Sequence, residues 1–333
     1  MVEHPEPLFL NLQPGESGRR YALHHRPASG AACGLVVYVH PFAEEMNKAR
    51  RMAALQSRRL AAAGFAVLQL DLLGCGDSAG DFGDATWPRW IDDVVFACHW
   101  LRARHPAAAG SAAPALWLWG LRAGSLLAVD AAARLAEPCD FVFWQPAPSG
   151  KLLLQQFLRL KLAGDLLGGQ VKGAMAQMRD ELAAGRHLEV AGYRLDPALC
   201  AGLEQAALAP PALSPGRVEW FEISPVDAAE PSPAAGQAAS RWSGSGWTVR
   251  THLVRGPAFW QTTEIEDAPA LLDATLAALT RPRSVATDEA TPATPVTPGG
   301  ARAALDAAGV PRQAAAAAPA FTASSSKASN ADA

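Results

Sequence analysis

Paired cysteines, an excess of one charge sign and long uninterrupted apolar runs are all missing from this sequence, and each absence removes a class of protein. Five cysteines occur in 333 residues (Cys33, Cys75, Cys98, Cys139 and Cys200), and none forms a C-x-x-C pair. Neither a disulfide framework nor a structural zinc site is expected from that spacing, which fits a reducing compartment. The 29 Lys+Arg balance 32 Asp+Glu to a net charge of -3, so the electrostatic footprint of a nucleic-acid binder is lacking. No run of about 18 or more apolar residues is long enough to span a bilayer. The opening residues, Met1-Val2-Glu3-His4-Pro5-Glu6, carry no basic segment followed by an apolar one, so no secretory leader is expected. His40, Asp71 and Asp77 lack a metal-ligand spacing, and neither a metal nor another cofactor is expected. What is present is a chain of 50% hydrophobic residues, ample for a sizeable core, and the expectation is a soluble, cytoplasmic α/β protein.

Strand-like runs alternate with helix-like ones over the first 280 residues. Candidate strands are Leu8–Leu12, Tyr21–Arg26, Gly34–His40, Phe65–Asp71, Ala115–Trp119, Phe141–Gln145, Arg217–Ile223 and Trp247–Val254. Continuous apolar runs such as Leu35-Val36-Val37-Tyr38-Val39 suit strands covered on both faces, as in a parallel sheet. Helical patterns over Lys48–Ala63, Trp90–Arg104 and Ala123–Leu135 supply the crossovers, with Gly64 as a helix-terminating glycine. The result is a mostly parallel, eight-stranded, doubly wound sheet whose two opening strands form an antiparallel edge. Residues 150–215 break the rhythm. Their apolar residues, from Leu152 to Leu167, fall on nearly every helical face with Lys151, Arg159 and Lys161 among them, which argues against a simple membrane-surface helix. They are expected to form a helical lid inserted between core segments 1–149 and 216–280. Residues 281–333, rich in Ala, Pro and Thr with Phe321 as the one aromatic, are expected to be a disordered tail, because they bury too little apolar area to offset ordering entropy.

The chemistry is concentrated where the fifth strand runs into Gly120-Leu121-Arg122-Ala123-Gly124 and then a helix. Strand, small-x-X-x-small pentapeptide and helix make the nucleophile elbow of α/β-hydrolases. The flanking small residues let the turn close, and the central side chain is pushed out above the C-terminal edge of the sheet. Here that residue is Arg122. Ser125 is a poor substitute nucleophile, since Leu127 would occupy a position that the elbow needs small. The loop His40-Pro41-Phe42-Ala43-Glu44-Glu45-Met46-Asn47-Lys48 stands where that superfamily places one oxyanion-hole amide. Asp71-Leu72-Leu73-Gly74-Cys75-Gly76-Asp77-Ser78 resembles its D-x-x-G-x-G-x-S turn, and it is not a dinucleotide loop because Gly80–Asp84 keeps the chain out of a helix. Asp227 stands at a possible acid position, whereas the loop Arg255–Gln261, where the base should lie, has no histidine; His252 falls inside the last strand and reads as structural. The Ser–His machinery of acyl transfer is therefore missing twice over.

These motifs, above all His40–Lys48 and Gly120–Gly124, resemble the exosortase A system-associated hydrolases of the second type, over residues 8 to 280. The resemblance implies the α/β-hydrolase fold and a setting beside the PEP-CTERM sorting and exopolysaccharide machinery, whose proteins are its implied partners; it brings no assigned substrate, and an ester- or thioester-type one is the expectation that goes with the hydrolase label. It carries a fold more securely than a reaction.

Three loops should converge at the sheet edge. Arg122 is either an anion receptor, offering a fixed guanidinium fork, or a seal paired with Glu44, Glu45 or Asp77; the sequence leaves both open. Cys75 with His40 is the candidate catalytic pair, although burial of Cys75 and a loop-orienting role for His40 are the plainer readings. Phe42, Glu44, Glu45, Asp77, Ser78 and Arg122 are the candidate ligand contacts. Trp144 and Trp260, at strand ends, are candidates to stack on a sugar or acyl group. Two functions compatible with a small-molecule ligand follow: a hydrolase with an atypical site, or a catalytically inactive protein that binds an anionic ligand or partner through Arg122 and the lid.

Overall fold

The computed structural model describes residues 4–12, 18–28, 30–107, 110–165, 173–227 and 230–282. The expected tail lies outside the described residues apart from Arg281 and Pro282.

The described elements run β1 (Glu6–Asn11), β2 (Arg19–His25), β3 (Gly34–Val39), α1 (Glu44–Ala62), β4 (Phe65–Leu70), α2 (Trp87–Arg104), β5 (Ala115–Leu121), α3 (Ala123–Leu135) and β6 (Asp140–Trp144). After them come α4 (Gly150–Asp165), α5 (Ala174–Ala183), β7 (Leu188–Val190), β8 (Tyr193–Leu195), α6 (Pro197–Gln205), β9 (Arg217–Ser224), α7 (Pro233–Gly244), β10 (Thr248–Arg255) and α8 (Pro269–Thr280). Eight strands form one sheet in the order β1-β2-β4-β3-β5-β6-β9-β10. Pairing is parallel except that β2 runs antiparallel to both β1 and β4.

Strand alternation divides the core into two layers. Leu35, Val37 and Val39 of β3 join the cluster under α2, α3 and α7, while Val36 and Tyr38 join the one under α1 and α8. Because both faces are covered, every residue of β3 is buried, which is why its sequence shows no polar alternation. Helix α1 begins four residues earlier than its apolar pattern suggests: Ala43, at φ 50°, turns the chain, and Glu44 and Glu45 occupy the favourable first turn. It ends as the glycine predicts, with Gly64 at φ 93°. Helix α2 starts at Trp87 because Thr86 caps it, accepting from Arg89 N–H at 3.4 Å, and Pro88 fits the first turn.

Residues 150–215, between β6 and β9, contain the β7–β8 hairpin as well as helices α4, α5 and α6. Edge-to-face rings tie this insertion to the core: Phe157 meets Phe42 at 5.1 Å, and Tyr193 meets Phe82 at 4.9 Å. The Tyr193 hydroxyl also donates to Glu44 Oε2 at 3.1 Å.

The opposite edge of the sheet carries a buried polar pair. His24 of β2 lies with Nε2 2.9 Å from His105 Nε2 and with Nδ1 3.4 Å from Glu6 Oε2. Burial is the main cause that pulls its pKa down to about 4, and the His105 and Arg26 charges push the same way while Glu6 opposes them. An unfolded histidine titrates near 6.5. Below that pH the unfolded chain takes up a proton that folded His24 refuses, so this contribution to stability is complete above about pH 6.5 and is lost as the pH falls toward 4. Between pH 7 and pH 5, His24 should account for a loss of about 2 kcal/mol in urea-unfolding free energy. The His24→Gln variant should show a correspondingly flatter pH profile; an unchanged profile would refute the assignment.

Candidate functional site: a cleft at the elbow

Register sets the site. Val39 of β3 pairs with Gly120 of β5, and Leu121 pairs with Trp144 of β6, so the loops leaving β3, β5 and β6 emerge side by side. Arg122 caps α3 with φ 54° and ψ −116°, the left-handed turn that an elbow apex requires. Glycine is required on both sides. A Cβ on Gly120 would sit 2.5 Å from Ser125 N, and one on Gly124 would sit 2.1 Å from Val39 O. The apex is fixed by its own backbone: Arg122 N–H donates to Trp144 O at 3.1 Å, and Arg122 O accepts from Ala147 N–H at 3.2 Å. Ser125 is fully buried and donates its hydroxyl to Gly120 O at 3.0 Å, so it faces away from any ligand.

Above the apex lies a cleft of about 440 Å³ bounded by Phe42, Glu44, Glu45, Lys48, Arg122, Trp260 and Gln261 and by α4 through Leu153, Gln156, Phe157 and Leu160. Arg122 Nε reaches Glu45 Oε1 at 3.3 Å, with only 13% of the arginine side chain exposed. Its guanidinium carbon stands 5.8 Å from the Trp260 ring centroid, within cation–π range. Gln261 Nε2 donates to the same Glu45 oxygen at 3.4 Å. The two Nη groups of Arg122 take no partner among the described residues. Glu45 Oε2 is buried without a hydrogen bond. Burial raises the Glu45 pKa, against the opposing pull of the Arg122 charge. The Phe42 and Ala123 N–H groups also carry no hydrogen bond among the described residues. These are the positions at which the fold offers its two oxyanion donors.

Of the two roles left open for Arg122, the seal amounts to a single Nε contact to Glu45, with both Nη groups left without a partner among the described residues. Phe42, Glu44, Glu45, Arg122 and Trp260 converge on the cleft, and five other candidates do not. His40 is buried, its Nδ1 donating to Pro41 O at 2.8 Å and its Nε2 accepting from Leu72 N–H at 3.3 Å, so no lone pair is left for a reacting group. Burial lowers its pKa, and it borders a separate cavity of about 170 Å³ between α1 and β2–β4. Cys75 is buried too, and desolvation together with the Asp71 and Asp93 charges pushes its thiol far up, the opposite of activation. The geometry therefore does not support the Cys75–His40 pair as nucleophile and base. Ser78 is spent on the turn, donating to Asp71 O and accepting from Tyr21 N–H. Asp77 is exposed outside the cleft, and its N–H donates to Asp71 Oδ2 at 3.1 Å. Trp144 points to the opposite sheet face, fully buried against Trp119 with its Nε1–H on Thr275 Oγ1 at 2.9 Å. Asp227 is largely exposed and paired with Arg255 at 3.4 Å, and His252 is held by Glu219 at 2.7 Å and stacked on Phe221. Among the described residues no group of three or more His, Cys, Asp or Glu is placed to hold a metal.

The cleft is also lined by Lys48 and Gln261, at the ends of two motif loops, and by the α4 wall of the expected lid, none of which is among the candidates expected from the sequence. The spacing of Leu153, Phe157 and Leu160 is the one sequence signal for that wall.

Residues 20–133 match the family model described as X-Pro dipeptidyl-peptidase (S15 family), less than half of the chain. No protein of curated function matches the sequence. Among solved structures, the fold is similar to that of Est1E from Butyrivibrio proteoclasticus with ferulic acid bound, at a TM-score of 0.56 and 14% identity over 82% of this chain and 97% of that one. It is also similar to a highly thermostable carboxyl esterase from Bacillus coagulans in complex with glycerol, at a TM-score of 0.51 and 14% identity over 83% of this chain and 98% of that one. The chain has the α/β-hydrolase fold, with an eight-stranded, mostly parallel sheet. No described helix is long and apolar enough to cross a membrane.

Two outcomes test this geometry. Gly124→Ala should lower stability by about 1–3 kcal/mol, read as a shift in the urea midpoint, because its methyl meets the β3 backbone rather than a movable side chain. In the native protein a thiol reagent at pH 8 should label exposed Cys33 well before Cys75, which should react on unfolding; rapid native labelling of Cys75 would contradict the burial described.

Proposed function

We propose that this chain binds an anionic small molecule in the elbow cleft, with the Arg122 fork standing where a hydrolase of this fold holds its nucleophile. One observation carries the reading: a guanidinium nearly enclosed by protein whose two Nη groups take no partner among the described residues. Such a fork matches a carboxylate or phosphate bidentately. Phe42, Leu153, Phe157, Leu160 and Trp260 give the cleft an apolar wall suited to an acyl or aromatic body attached to that anion. Residues 150–215 act as the lid over it, since α4 supplies much of that wall. The motif resemblance supports a place beside the exosortase A and PEP-CTERM machinery and exopolysaccharide synthesis. In this reading the chain is a hydrolase scaffold in which recognition of an anion replaces acyl transfer.

A second reading is favoured by the two unoccupied amides of Phe42 and Ala123. They would accept the oxyanion of an ester or thioester, and Glu45, with Oε2 uncommitted and its pKa raised, would be the carboxylate available to take a proton from water. The esterase likeness of the fold makes such substrates the right ones to test.

Ferulate and decanoate serve as anionic probes, and their methyl esters as neutral counterparts. Carboxylate binding, measured by calorimetry, should weaken roughly 10–100-fold in Arg122→Gln, the loss of a charge-assisted pair of about 1.5–3 kcal/mol. Equal affinity of both proteins would refute the receptor. Ester turnover that survives purification and vanishes in Glu45→Gln would establish the second reading in its place.

A further inference from the structure

Helix α4 is apolar on two sides, and only one of them is used inside the protein. Leu153, Leu154 and Leu158 are buried, with Phe157 packed on Phe42. A solvent-facing stripe carries Leu152 and Leu160, exposed at 49% and 53%, two turns apart with exposed Gln156 between them, and it runs from the outer side of the helix to the cleft rim. Residues at i, i+4 and i+8 lie along one stripe of a helix. Lys151 and Arg159, both exposed, stand next to these leucines in sequence, and neither makes an ion pair or hydrogen bond among the described residues. This basic flank occurs in a chain whose net charge is -3, so it does not follow from composition. Phe9, another exposed large apolar residue, is by contrast shielded by Arg19, whose guanidinium carbon lies 4.1 Å from its ring.

We propose that this outward stripe of α4 docks onto an anionic lipid surface. Leucines flanked by cations are the composition of a helix that lies in an interface, with apolar side chains entering the acyl boundary and Lys and Arg meeting the headgroup phosphates. Two leucines and their flank fall well short of the roughly 1,000 Å² that a stable protein interface buries, so a second copy of the chain suits the patch less well. Gln156 and Leu160 belong both to the stripe and to the rim of the cleft, so docking would turn the cleft mouth toward the lipid. Over Leu152–Leu160 the apolar pattern that argued against a simple surface helix thereby divides between residues packed on the core and residues of the docking stripe. This inference goes beyond the anion-binding reading and does not depend on it, because Lys151, Leu152 and Arg159 lie outside the cleft lining and the Lys151→Glu/Arg159→Glu variant below leaves every cleft residue unchanged.

The test is cosedimentation of the full chain with phosphatidylglycerol–phosphatidylcholine vesicles and with phosphatidylcholine vesicles. Wild-type protein should bind the anionic vesicles at least tenfold more tightly than the neutral ones, and binding should fall as salt rises. Leu152→Ser/Leu160→Ser and Lys151→Glu/Arg159→Glu should each weaken it at least tenfold while their thermal midpoints stay at the wild-type value. Phe9→Ser should bind as wild type does. The proposal is overturned if wild-type protein shows no preference for anionic vesicles, if both double variants bind normally, or if Phe9→Ser loses binding equally. It is also overturned if gel filtration shows a dimer that the leucine variant dissociates, because a second copy then covers the stripe.

Discussion

The narrow space around Gly120 and Gly124 governs this molecule. With no room for a Cβ at either position, β5 can pass under the start of α3, and the residue between them is forced into a left-handed turn at the edge of the sheet. The same peptide unit does more than present a side chain. Arg122 N–H holds the end of β6, and Arg122 O holds Ala147, three residues before α4 begins. One turn therefore positions the apex, the floor of the cleft and the point at which the insertion departs.

The location favours negative charge independently of Arg122. Helices α1 and α3 both start at this edge with no side chain capping them, so their positive dipole ends face it, although Glu45, Met46 and Ser125 N–H are already taken by the carbonyls of Phe42, Ala43 and Arg122. In an enzyme of this fold such an environment meets an oxyanion that exists briefly. In the proposed reading, a permanent cation at the apex extends that preference to an anion that can stay. Glu45 moderates it: one oxygen serves Arg122 and Gln261 together, which holds the elbow and the loop after β10 in contact through a single carboxylate.

Local patterns disclosed the eight strands of the main sheet, the elbow and the termination of α1 at Gly64, because each is decided by residues within a few positions of one another; the β7–β8 hairpin, inside a segment expected to be helical, was not among them. The site was only partly legible for the opposite reason. Phe141 to Trp144 is apolar throughout, so nothing in it shows that Trp144 faces α8 and not the cleft. The fate of His40 is decided by an amide 32 positions away, at Leu72. Cys75 reads as a loop residue beside cations, yet the fold buries it near two carboxylates. The α4 wall and the β7–β8 hairpin meet the core through Phe42 and Phe82, contacts that only the folded chain brings together.

The intact elbow also bears on redesign. Its backbone would present a serine hydroxyl at position 122 as readily as it presents the guanidinium, so the costly part of a hydrolase, a strained apex between two enforced glycines, is already built. The loop from Gly256 to Ala268, however, contains no imidazole, and the nearby His252 is committed to Glu219 within the sheet. Arg122→Ser alone would therefore install a hydroxyl with no base to take its proton. The path from this scaffold to an acyl-transfer enzyme is at least two substitutions long, and the first of them removes the cation on which the present cleft is organised.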